Sequence, residues 1–115
     1  MKINVFDLVG ENCITLEDGQ KIFNLIHPEL SGGNIVALDF KDVKIFASPF
    51  FNAAIGRLLK DIKPDDLNRL LKITNIVPTG LAVLKRVIEN SKEYYSNPNV
   101  RKAVDEVLLE QSEAL

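Results

Sequence analysis

The spacing of apolar positions changes several times along the 115 residues, and each change predicts an element. Lys2 to Leu8 and Asn12 to Thr15 are short, β-rich segments parted by Gly10 and Glu11, which predicts a hairpin or an edge strand with a return. Thr15-Leu16-Glu17-Asp18 has the spacing of a capping box with Asp in place of Glu. Ile22, Phe23, Leu25 and Ile26 then give the following helix an apolar face. Gly19 is expected to weaken that helix, and Pro28 to end it near Ile26 or His27. After Ser31-Gly32-Gly33, the run Ile35-Val36-Ala37-Leu38-Asp39-Phe40 predicts a central strand covered on both faces.

The clearest helical pattern comes next, after a short apolar loop from Val43 to Ala47. Ser48 reads as an N-cap and Pro49 as the first helical residue, and Phe51, Ile55, Leu58, Leu59 and Ile62 share one face, so a single helix is expected from Ser48 to Ile62. Pro64-Asp65-Asp66 reads as an exposed turn. Leu70 to Asn75 reads as another strand, and Thr79 as the N-cap of a helix that runs to Tyr94 or Tyr95 with Leu81, Leu84, Val87 and Ile88 on one side. Asn97-Pro98 repeats the N-cap and proline device, and Val100, Val104, Val107 and Leu108 mark a last amphipathic helix. The order β, β, α, β, α, β, α, α predicts one α/β domain over residues 1–115, with a mixed, mostly parallel sheet of about four strands, helices packed on it and right-handed crossovers. Residues 98–112 are expected to form its C-terminal helical extension.

Composition acts on this picture by exclusion. With 46% hydrophobic and 26% charged residues, the chain has the make-up of one soluble globular domain. A net charge of -2 argues against a nucleic-acid partner, because counterion release needs a broad basic surface. One cysteine and one histidine exclude a structural zinc and an intrachain disulfide. The lone thiol fits a reducing compartment. Met1 to Leu8 carries no signal-like apolar region, and the stretch Ile45 to Ile55, interrupted by Ser48, Pro49 and Asn52, is far short of the ~20 residues of a membrane helix. A cytoplasmic protein with no membrane span is the expectation. Charge is uneven along the chain: residues 1–55 carry 4 basic and 7 acidic groups, 56–102 carry 10 and 5, and 103–115 carry 0 and 4.

Reactive groups are few. His27 precedes Pro28 at an expected helix end, where an imidazole is better explained as a cap than as a base. Cys13 reads as a small buried hydrophobe with no neighbouring cation to lower its pKa. Gly32-Gly33 precedes a strand rather than a helix, the wrong order for a phosphate-cradling loop. With no set of nucleophile, base and stabiliser, the expectation is a protein without enzymatic activity, metal or cofactor.

Residues Asn34 to Val43, then Phe46-Ala47-Ser48-Pro49-Phe50-Phe51, then Ile55-Gly56-Arg57-Leu58-Leu59 resemble the central segment of STAS domains, the sulphate-transporter and anti-sigma-factor-antagonist fold. The resemblance is closest to the STAS-like family of unknown function. It implies a regulatory protein–protein interaction module whose partner is a kinase-like ATPase or another anti-sigma-type regulator. In anti-sigma-factor antagonists a Ser or Thr at the start of this helix takes a phosphate, and the unphosphorylated form binds the partner. Aligned on Gly56-Arg57, that acceptor position falls on Pro49, with Ser48 one residue earlier, which makes Ser48 the candidate phosphoacceptor. Ala47, Phe50 and Asn52 stand where an acidic residue and small glycines are common.

The expected docking face is Ser48, Pro49, Phe50, Ala53 and Arg57, an aromatic and an arginine being the residue types enriched at interface hot spots. The alternative is a small-ligand or nucleotide sensor that uses Asp39, Lys44, Thr74 and Asn75 at the loop ends, where open α/β sheets bind ligands. A homodimer through the last helix stays open beside both.

Overall fold

A computed structural model describes residues 1–96. β1 (Lys2–Asn4) leads into α1 (Val5–Val9), and β2 (Asn12–Cys13) into α2 (Leu16–Ser31). β3 (Val36–Asp39), β4 (Ile45–Phe46) and α3 (Ser48–Ala54) follow, then a 3₁₀ turn at Gly56–Lys60. α4 (Pro64–Leu70), β5 (Leu71–Thr74) and α5 (Pro78–Ser96) complete the described chain. The strands form two parallel sheets, a three-stranded one in the order β1-β3-β5 and a two-stranded one of β2 with β4. The last amphipathic helix, expected at 98–112, lies outside the described residues.

β3 is the centre of the larger sheet, as its apolar run predicts, but among the described residues the sheet is covered on one face only. In register, Ile3, Leu38 and Ile73 lie side by side, as do Lys2, Ala37 and Lys72 on the alternate positions. Ile3 and Leu38 are buried in the core, whereas Lys2 and Lys72 are exposed and Ala37 is half-buried. Successive residues of a strand point to opposite faces, so the second row defines an outer face that stays polar at its edges. The described residues thus cover one of the two faces that the apolar run of β3 led one to expect covered.

Several boundaries depart from the sequence pattern for local reasons. Lys2 to Leu8 does not continue as a strand, because Asn4 caps α1 by accepting from the Asp7 N–H at 3.0 Å. β2 then pairs with β4 in parallel rather than returning on β1, so there is no hairpin. Thr15 caps α2 as expected, accepting from the Asp18 N–H at 3.1 Å. Pro28 sits inside α2, and the helix continues to Ser31 with Leu30 buried in the core. The helix expected at 48–62 breaks at Ile55, whose φ of -124° starts the 3₁₀ turn and keeps Ile55, Leu58 and Leu59 all inward. Pro64 opens a helix rather than an exposed turn, with Asp65 and Asp66 in its first turn, where a helix favours negative charge.

Two close approaches fix how the helices sit. A Cβ on Gly19 of α2 would lie 2.3 Å from the Phe50 carbonyl oxygen and 2.8 Å from the Ala53 Cβ, so the two helices touch backbone to backbone. A Cβ on Gly80 of α5 would lie 2.6 Å from the Phe46 ring. Gly19 therefore places α2 on α3 rather than merely weakening its own helix. In an exposed helix an alanine would be favoured over glycine by about 1 kcal/mol. Gly19→Ala is expected to reverse that sign and destabilise the fold by about 1–3 kcal/mol through overpacking against a backbone that has no room to yield. Urea-unfolding midpoints of the two proteins check it; an unchanged or higher midpoint would contradict the close approach.

Candidate functional site

The start of α3 is held from beneath by aromatic rings. Phe40 directly follows β3, Phe46 ends β4, and Phe50 and Phe51 lie in the first turn of α3. Ring centroids are 5.9 Å apart for Phe40 and Phe46, 6.0 Å for Phe40 and Phe51, and 5.6 Å for the near-parallel Phe46 and Phe51. Phe50 meets Phe51 edge-on at 5.3 Å. Through Gly80 against Phe46, the same cluster also receives the first turn of α5. The chain entering α3 is pinned as well, since the Ala47 N–H donates to the Cys13 carbonyl at 2.9 Å.

This packing corrects the expected docking face. Phe50 is 0% exposed and Ala53 2%, because α2 lies over them at Gly19. Ala47, not Ser48, is the N-cap of α3, and no side chain caps it. Ser48 is the first helical residue and half-buried, while Pro49 and Asn52 are exposed. Arg57 is exposed but turns towards α2: its guanidinium lies over the Phe23 ring, 4.5 Å from the centroid, and donates to the Gln20 side-chain oxygen.

That arginine begins a short column along α2. Phe23 stacks on His27 with centroids 4.9 Å apart, and the Asp61 carboxylate accepts from His27 Nε2 at 2.8 Å. The expectation that His27 caps a helix C-terminus is replaced by this contact, since α2 runs one turn past it and its ring ties α2 to the turn after the 3₁₀ segment. Cys13 is fully buried in β2, and burial, reinforced by the nearby Asp18 charge, pushes its thiol up to about 12. A thiol so held stays protonated at neutral pH, which removes its nucleophilic form.

The residues of the alternative site are partly brought together. Asp39 ends β3 next to Thr74 of β5, and the Asn75 side-chain amide donates to Asp39 Oδ1 at 3.0 Å. The Lys41 backbone N–H donates to the same oxygen at 2.9 Å, and the Thr74 hydroxyl to the Leu38 carbonyl at 3.4 Å. Asn75 reaches back because it adopts a left-handed φ of 57°, a conformation that Asn tolerates better than most residues. Lys44 is engaged elsewhere, with its ammonium 4.0 Å from the Glu11 carboxylate. Sequence reasoning missed Asn52, Phe46 and the Gln20–Phe23–Asp61 partners of Arg57 and His27. For Asn52 the signal was present, a polar residue on the helix face away from Phe51 and Ile55.

The fold is thus a parallel α/β domain in which the start of α3 lies above an aromatic cluster. The chain belongs to the STAS-like domains of unknown function, whose family profile matches residues 18–81, more than half of its length. No curated protein and no solved structure matches it significantly. Among the described residues, no helix is long and apolar enough to cross a membrane, and no group of three or more His, Cys, Asp or Glu is placed to hold a metal ion.

The Asp39 contacts have a definite pH signature. The Asn75 amide, then the Lys41 N–H, hold the Asp39 carboxyl below its ordinary value, with the Lys2 and Lys41 charges adding to this and partial burial opposing it. A carboxyl whose folded pKa is lowered stabilises the fold fully above its unfolded value, about 4, and that contribution fades as pH falls from there through the folded pKa. Asp39→Asn keeps an acceptor oxygen but no charge. Wild type is therefore expected to exceed Asp39→Asn in urea midpoint near neutral pH, with the gap closing below about pH 4. A gap independent of pH would show that the carboxylate charge contributes nothing.

Proposed function

We propose that this STAS-like domain is a non-enzymatic regulatory module that binds a kinase-like, ATP-binding regulator through the start of α3. One observation supports the reading above others: Pro49 and Asn52 are exposed, with Ser48 half-buried beside them, on a helix whose inner residues are locked into the core. A docking edge held in this way loses little conformational freedom on binding, so more of the contact energy is realised as affinity. Phosphorylation at Ser48 is its control. A phosphate there would add a charge of about -2 within the contact and release the partner.

The test is calorimetric titration of the purified domain against a kinase-like, ATP-binding regulator from the same organism. Pro49→Arg with Asn52→Arg is expected to weaken binding by about tenfold or more, as loss of a central contact does, without lowering thermal stability. Phe50→Ala is expected to act differently, destabilising the fold by about 3–5 kcal/mol as a buried aromatic truncation. Unchanged affinity in the double variant would remove the α3 edge from the interface. Incubation with the ATPase and ATP should add one phosphate that Ser48→Ala abolishes.

A second reading, a small-ligand or nucleotide sensor, is favoured by the convergence of Asp39, Thr74 and Asn75 at the carboxyl ends of neighbouring strands. Under that reading a nucleotide at a hundred times its dissociation constant should stabilise the domain by about 2.7 kcal/mol, visible as a thermal shift that Asn75→Ala removes. No shift across the nucleotides would reject it.

A further inference from the structure

A groove of about 380 Å³ lies between α4, β5 and α5, with Leu67, Leu71, Ile73 and Ile88 among its walls. Among the described residues β5 is an edge strand, and Leu71, Ile73 and Ile88 stay half-buried, so apolar surface is left along the groove. A second hollow of about 280 Å³ shares Leu59, Pro64 and Lys92 with the groove and is lined by Lys60 and Lys63 as well. We propose that the two together bind a small anionic amphiphile, with an unbranched apolar chain in the groove and a carboxylate or phosphate head among the three lysines.

Charge and shape both select this class. Among the described residues no carboxylate lies within 4.0 Å of the Lys60 or Lys63 ammonium. The Asp61 carboxylate is held by His27 Nε2 at 2.8 Å, and the Lys92 ammonium meets Glu89 at 3.6 Å. Asp65, in the first turn of α4, also lines the groove, so the lysines outnumber the acids that remain to balance them. Lys92 lines both hollows. A lysine lays its methylene stem along apolar surface and keeps its ammonium in water, so Lys92 marks where the head and chain of a ligand would meet. From Lys92 to Ile88 is four residues of α5, roughly 6 Å, so the apolar wall continues about one helical turn past the charged position. Each hollow alone is at the small end of the ~300–1,000 Å³ of ligand pockets, whereas their shared walls make an elongated path suited to a chain. The site is separate from the start of α3 and from the Asp39–Asn75 cluster, and it stands whether or not either of those binds anything.

The experiment is an amide-resolved NMR titration of the full chain with decanoate, decyl phosphate, octanoate and the neutral decanol. Decanoate and decyl phosphate are expected to shift the amides of α4, β5 and the second half of α5 and to leave those of α2 in place. Octanoate should bind up to about fifteenfold more weakly than decanoate, the effect of two fewer buried methylenes. Decanol should bind about tenfold more weakly or worse, since it lacks the charge that the lysines would meet. Lys63→Glu/Lys92→Glu, at two exposed positions, should lower decanoate affinity about tenfold or more and leave decanol affinity unchanged. Equal affinity for decanol and decanoate, unchanged decanoate affinity in the lysine variant, or no shift in α4, β5 and α5 overturns the proposal. A full chain that ignores free decanoate but sediments with vesicles of an anionic phospholipid overturns it in favour of a membrane surface.

Discussion

The contact at Gly19 decides what α3 can show to the outside. With no side chain between them, α2 rests on the Phe50 carbonyl and the Ala53 Cβ, and the faces of α3 that carry Phe50 and Ala53 become interior. Phe51 is turned inward by the Phe40 and Phe46 rings. Only Ser48, Pro49 and Asn52 are left outward or half-outward on this helix. A side chain at position 19 would lift α2 and expose an aromatic that is now core. What α3 leaves outward is thus set by the absence of a side chain on a different helix, and the Arg57 column down α2 is a second consequence of the same proximity.

The larger sheet imposes the complementary constraint. All-parallel sheets ordinarily have both faces covered, yet here the register places Lys2 and Lys72 on either side of Ala37, with Asn4, Asp39 and Thr74 in the following row. Such a face is tolerated because its strands are short and its end is closed by its own side chains. The Asp39 carboxylate satisfies the Lys41 N–H and the Asn75 amide, and the Phe40 N–H extends the ladder by donating to the Thr74 carbonyl at 2.9 Å. These bonds account for the polar cluster structurally, as mutual satisfaction of groups at the carboxyl edge of the sheet.

Much of this architecture is legible in the sequence because its signals are local. The Thr15 cap, the run through β3, proline in the first turn of α3 and the strand before α5 each depend on a few neighbouring residues. The parallel α/β order follows from their alternation. What the sequence conceals depends on distant partners. Phe50 looks like a surface aromatic until α2 is placed over it, and His27 looks like a cap until Asp61 arrives from another segment. Ala37 looks doubly buried because an apolar run carries no record of what lies on its far side. Pro28 and Pro64 were misleading for the opposite reason: local rules read them as helix breakers. The burial of Leu30 carries one helix past its proline, and the position of Pro64 at a first helical turn makes it a start.

The family match sharpens which of these contacts belong together. It begins at Asp18, one residue before Gly19, and ends at Leu81, one residue after Gly80. The matched segment therefore contains the approaches of Gly19 to the Phe50 backbone and of Gly80 to the Phe46 ring, together with every ring of the aromatic cluster between them. Ser48 and Pro49 lie inside this frame, fixed on one side by α2 and on the other by the first turn of α5. Membership in the family thus speaks to how the edge is held and not to what meets it. The groups that this frame leaves outward on α3, Pro49 and Asn52 with Ser48 half-buried beside them, are therefore held by contacts that they do not themselves make.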